Sequence, residues 1–208
     1  MRTALGFLGC LLAALVAAPM ASAACPYEDV QPTEANRDQV RAAVVCLHNE
    51  ERQAAGVRPL RSNHRLEAAA AGHSADMVAR RYFDHDTPDG LDPFERMEAS
   101  RFIHDDVVWN AGENIAWGSG RLSTARSIFD AWMESPGHRL TLLASEFSQL
   151  GVGISLGAPS DQYAHLGNAA TYTVDFGWRK RRCGRRTSAR RKAGKPRSRG
   201  ARAKCRYR

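Results

Sequence analysis

Apolar positions recur at helical spacing through residues 34–56, EANRDQVRAAVVCLHNEERQAAG. Val40, Ala43, Val44 and Leu47 share one face with Glu51, and Gly56 supplies a stop. The same period continues in NHRLEAAAAGHSADMVARRYF. There Leu66, Ala69, Ala70, His73 and Met77 make a face kept narrow by alanine, and Asn63 is placed to cap the helix. TPDG at 87–90 reads as a turn, and DPFERMEAS begins a short helix at Pro93. A third long helix covers LSTARSIFDAWMES, with Ser123 as cap, Ile128, Phe129 and Trp132 as anchors, and Pro136 as its end. The period then drops to two. QLGVGISLG sets Val152 and Ile154 on one face, and ATYTVDFGW does the same for Tyr172, Val174 and Phe176. VVWNAGENIAW at 107–117 offers a further edge strand, and residues 158–170 read as loop. Helices ahead of strands, without repeated strand–helix–strand units, predict an α+β fold with an antiparallel sheet.

The two ends follow neither period. A cationic start, the apolar run ALGFLGCLLAALVAA and Ala21-Ser22-Ala23 spell a secretory signal peptide over 1–23. Cys25 close behind raises a lipid-anchor alternative. Ser22 speaks against it, because that signal wants a large aliphatic residue three before the cysteine. The expected location is secreted and extracellular, with retention at the cell envelope open. Residues 24–178 carry 13 arginines and no lysine against 22 carboxylates, a balance of −9, whereas residues 179–208 carry 16 cations and no acid. The chain therefore divides into one acidic domain, 24–178, and a basic tail, 179–208, too polar to fold alone and expected to be disordered. The tail suits an anionic cell-wall polymer or surface. With Tyr207 as its one aromatic, it is not expected to read nucleic-acid sequence. Cys25, Cys46, Cys183 and Cys205 allow three pairings. The local one, Cys25–Cys46 with Cys183–Cys205, needs the shortest loops and is the expectation; free or intermolecular tail cysteines are the alternative.

Three turn-borne residues carry the candidate chemistry: His85 in YFDHDTPDG, Glu113 in NAGENIAWG and His138 in SPGHR. Two imidazoles and a carboxylate can hold a zinc-like ion with an open position, or act as an acid–base set. They lie 28 and 25 residues apart, which matches no local metal motif, so three unrelated turn residues stay open as a reading. His73 is expected to be a hydrogen-bonded core histidine and His48 a buttress for a neighbouring loop. His64, His104 and His165 read as surface residues. HExxH, GxSxG, a phosphate-binding glycine loop and CxxC are all absent from the sequence.

Ordered motifs say more than spacing. HNEER at 48–52, YFDH at 82–85, GENIA at 112–116, AWMESPGHR at 131–139, LGVGIS at 150–155 and YTVDFG at 172–177 follow one another. Together they resemble the CAP superfamily (cysteine-rich secretory proteins, antigen 5 and pathogenesis-related proteins), in particular its bacterial secreted branch, over residues 38–177. The resemblance implies an α-β-α sandwich with a small antiparallel sheet between helical layers. It also implies a central cavity lined by two His and one or two Glu, which binds a divalent cation in some members. The matching positions are His85, Glu113 and His138, as ligands of a cation such as zinc, with Glu113 a ligand or the orienter of one histidine. The family's second Glu falls on Ser135, with Glu134 one residue away, about 100° round a helix. The function this implies is a non-enzymatic binding module taking a small molecule, lipid or protein at the cavity. The alternative is a metal-dependent extracellular hydrolase with Glu113, His85 and His138 as its catalytic residues. Ligand identity and oligomeric state stay open.

Overall fold

The computed structural model describes residues 25–182; the signal peptide expected over 1–23, the expected Cys183–Cys205 pairing and the tail beyond Arg182 lie outside the described residues. Helix α1 (Arg37–Ala54) buries Val40, Ala43, Val44 and Leu47, the face its period predicts. Helix α2 (His64–Arg80) starts at Asn63, whose side chain accepts from the backbone of Arg65 and Leu66. Helix α3 (Pro93–Ala99) opens with Pro93 behind a reciprocal Asp92–Glu95 capping box. Helix α4 (Ala125–Glu134) is capped not by Ser123 but by Thr124, whose hydroxyl accepts from Ser127 N. Ser123 is spent one residue earlier, closing a 3-10 turn onto Gly120.

Pro136 marks the end of α4, as expected, and also begins a further helix. Helix α4 ends at Glu134, Ser135 is extended, and Pro136 is the first residue of a new helix, α5 (Pro136–Leu143). A missing N–H is no loss at that position. His138 therefore sits in the first turn of a helix rather than in a loop.

Strands β1 (Arg61–Ser62), β2 (Val107–Ser119), β3 (Gln149–Leu156) and β4 (Ala169–Arg181) form one sheet in the order β1-β3-β4-β2. The two long pairings are antiparallel; the two-residue β1, which no sequence pattern marks, runs parallel to β3. Strand β4 takes in the start of the basic segment, because Arg179–Arg181 pair with Trp109–Val107.

Helices cover both faces. Val152, Ile154, Tyr172, Val174 and Phe176 join α1, α4 and α5 in the main core. On the other face α2 lies directly against glycine: a Cβ added at Gly151 or Gly153 would overlap the backbone of Glu67 or Ala70. The polar positions Thr171, Thr173 and Asp175 are buried there under α2, where Ser74 Oγ donates to Thr173 Oγ1 at 2.9 Å. Alternation in β4 thus separates two dry faces.

Helix α1 anchors both ends of its layer. Cys46 is disulfide-bonded to Cys25, as the local pairing predicts. Arg52, fully buried, donates to the carbonyls of Arg58, Leu142, Ala144 and Phe147 at 2.9, 2.6, 3.0 and 3.2 Å. The buttress within HNEER is therefore Arg52, and His48 is a core residue. The His48 Nδ1–H donates to Val44 O at 2.7 Å, and its ring lies 5.4–5.7 Å from those of Phe129, Trp132 and Phe176.

Candidate functional site

Successive side chains of a strand point to opposite faces, and the GENIA segment uses this at an edge of the sheet. Glu113 reaches the layer of α2 and α3, while Asn114 reaches α5, donating from Nδ2 to His138 O at 3.0 Å. One pair of adjacent residues thus ties both helical layers to β2.

Glu113 is the hub. Its Oε1 accepts from His85 Nδ1–H at 2.8 Å and its Oε2 from Arg96 Nη2 at 2.7 Å, with the carboxylate side chain 2% exposed. Arg96 also donates to His85 O at 2.8 Å, fixing the main chain of the histidine whose ring Glu113 holds. His73 Nε2 stands 4.0 Å from Glu113 Oε1 and donates to Asp84 O at 3.0 Å. Its Nδ1 lies 3.4 Å from the Tyr82 hydroxyl, which donates to Asp76 at 2.6 Å. His73 is the satisfied core histidine expected from its helix face, and it also faces the site. Directly across the strand pair from Glu113 is Asp175, 1% exposed.

The charges follow from these contacts. Burial alone would push Glu113 up, but the His85 hydrogen bond and the Arg96 charge outweigh it and hold the carboxylate below its usual range. The same hydrogen bond raises His85. Burial lowers His73 and His138, the latter with help from the charge of His85. Burial, then the Glu113 charge, pushes Asp175 well above the ordinary carboxylate range. The site is one carboxylate kept charged between a guanidinium and an imidazole, across the strand pair from an acid that burial pushes toward its neutral form.

Of the residues singled out by sequence, His85 and Glu113 are in contact, and Asn114, next to Glu113, donates to the main-chain oxygen of His138. Glu134 is exposed at the end of α4, and Ser135 links it to α5. Among the described residues, the three donors found within 4.8 Å of one another belong to Cys25, Cys46 and Glu50, whose sulfurs are joined as a disulfide. His85, Glu113 and His138 do not form so tight a set. Sequence reasoning missed Arg96 and Asp175, both partners of Glu113. A cleft of about 400 Å³ opens beside them, its lining including His73, Thr87, Leu91 and Arg96.

The profile of the cysteine-rich secretory protein family, CAP, matches residues 45–176. The chain belongs to this family. Among CAP relatives, the uncharacterized protein YkwD of Bacillus subtilis is 39% identical over 110 residues, covering 53% of this chain and 40% of YkwD. The chain thus spans less than half of that relative's length. An extracellular protein containing an SCP domain, from Bacillus anthracis, is 27% identical with a TM-score of 0.50, over 68% of this chain and 40% of that one. An outer surface protein from Borrelia burgdorferi shares the CAP fold at 19% identity and a TM-score of 0.56, over 70% of this chain and 96% of its own. No helix among the described residues is long and apolar enough to cross a membrane.

Proposed function

We propose that this CAP domain is a secreted, non-enzymatic binding module that takes a divalent cation such as zinc between His85 and His138, with Glu113 orienting His85. The observation that carries the reading is the 2.8 Å bond from His85 Nδ1 to Glu113. It fixes the tautomer that leaves Nε2, without a hydrogen-bond partner among the described residues, free to coordinate. A carboxylate on the far nitrogen is the usual companion of a metal-binding imidazole. Both Glu113 oxygens are already bonded and Arg96 offsets their charge, which suits an orienter better than a ligand. His138, lowered by burial, offers a neutral imidazole, and paired imidazoles suit zinc among biological cations. The basic segment would hold the module on an anionic wall polymer or surface.

Zinc calorimetry on the full chain tests this. His85→Ala with His138→Ala should abolish the heat, and Glu113→Gln should weaken binding about 10–100-fold without abolishing it. Equal heats for wild type and the double variant would sink the reading.

A further inference from the structure

Strand β2 ends one side of the sheet, and part of its outer edge is bare. The β2–β4 register runs without a bulge from Val107↔Arg181 to Ser119↔Ala169. Two bonds just beyond its ends set the parity: Arg182 N donates to Asp106 O at 2.6 Å, and Gly120 N to Asn168 O at 3.2 Å. Both involve even positions of β2 in one continuous register. Even residues therefore bond to β4, and odd residues turn their N–H and C=O outward.

Some of these outward groups are taken. Val107 N donates to His104 O, and Ile115 O accepts from Trp132 Nε1 at 3.0 Å. Between them, Trp109, Ala111 and Glu113 have no main-chain partner on the outer side among the described residues. Glu113 shows the point most clearly. Its side chain is 2% exposed while the residue as a whole is half-buried, so what it offers solvent is its main chain. Native sheets usually blunt such an edge with proline, an exposed cation or a bulge; β2 has none of these. The result is a template of roughly 17 Å, five residues long.

The surroundings indicate what fits. Asp84 and Asp86, both exposed, flank His85, and Glu95 is exposed beside Phe94. The Phe94 and Trp109 rings, 39% and 37% exposed, lie 5.4 Å apart and offer aromatic faces to a cation. Two cations lie close to this edge and both are committed: Arg96 to Glu113 and His85 O, and Arg179, opposite Trp109 on β4, to the carbonyls of Arg101 and Phe102. Lys180 and Arg181 follow it opposite Val108 and Val107, at the end of β2 beyond the bare stretch.

We propose that this edge takes an extended cationic segment of a partner protein as a fifth strand. Backbone pairing at Trp109, Ala111 and Glu113 gives the affinity, and alternate Arg or Lys side chains on the acidic, aromatic side give the selectivity. The added strand passes between the layer holding His85 and the layer holding His138, and it needs no metal.

The test uses the full chain in EDTA, which separates this surface from the cation site. A Val-Arg alternating octapeptide, its Val-Glu counterpart and a Val-Arg octapeptide N-methylated throughout are titrated and followed by amide NMR and hydrogen exchange. The Val-Arg peptide should slow exchange at Trp109, Ala111 and Glu113 at least tenfold. The N-methylated peptide should bind at least tenfold more weakly, and the Val-Glu peptide should leave these amides unchanged. Equal binding by the N-methylated peptide overturns the proposal, because backbone pairing is then not the cause. So does protection of these three amides in the free chain, which would mean its own residues already fill the edge.

Discussion

Glu113 and Asp175 stand directly opposite each other on β2 and β4, two carboxyl groups in register inside the protein. They divide one problem between them. Glu113 meets His85 and Arg96 and keeps its charge, while burial and the charge of Glu113 push Asp175 toward its neutral form.

A neutral Asp175 has nearly the shape and donor capacity of an amide. A buried acid whose folded pKa lies above its ordinary 3.8 destabilises the fold progressively as pH rises from that value toward the folded one. Asp175→Asn removes this drain. The variant should be at least as stable as wild type at pH 7, with its advantage growing as pH rises, in urea melts taken across a pH series. An Asn variant less stable at every pH would mean that Asp175 works as an ion.

His48 titrates in the opposite sense. Burial among aromatic rings lowers it from 6.5 to about 4, so the unfolded chain takes the proton first as pH falls. Its contribution is present above pH 6.5 and drains away toward pH 4, about 3 kcal/mol in all. His48→Phe should flatten the stability profile across that window. An unchanged slope would place the acid sensitivity elsewhere.

Arg52 donates to four main-chain carbonyls, three of them between Leu142 and Phe147, where the chain leaves α5. Truncation to Met should cost about 3 kcal/mol or more by urea melting, since buried acceptors lose their partner. Arg52→Lys should recover only part of this, because one ammonium cannot span the same set.

Two glycines should respond in opposite directions. Gly153→Ala drives a methyl group into the α2 backbone and should cost about 3 kcal/mol or more. Gly137, in the first turn of α5, has nothing within 4 Å of an added Cβ. Gly137→Ala should therefore stabilise by about 0.5–1 kcal/mol, read in the same melts.

How much the sequence reveals depends on whether a residue's role is local. The α1 and α2 faces and the Asn63 cap are legible, because helical spacing and capping are set within a few residues. Arg52 is not, since a buried arginine is written like an exposed one and three of its four acceptors lie 90 and more residues away. Pro136 reads as a stop because the residue before a proline tends to leave the helix. That holds for Ser135, but the same proline starts the next helix. Asp175 looks like an ordinary polar position of an alternating strand, and only α2 lying over it makes that face dry. The His85–Glu113 contact is legible from motif order rather than from spacing, whereas Arg96 belongs to no motif and stays hidden.

Because Glu113 and Asn114 reach opposite sides of one strand, the two histidines they steer belong to different slabs of the molecule. Anything gripping both imidazoles would fasten those slabs together like a clasp. Occupancy would then be felt mechanically as well as chemically, as resistance to the layers sliding past each other at the rim of the sheet.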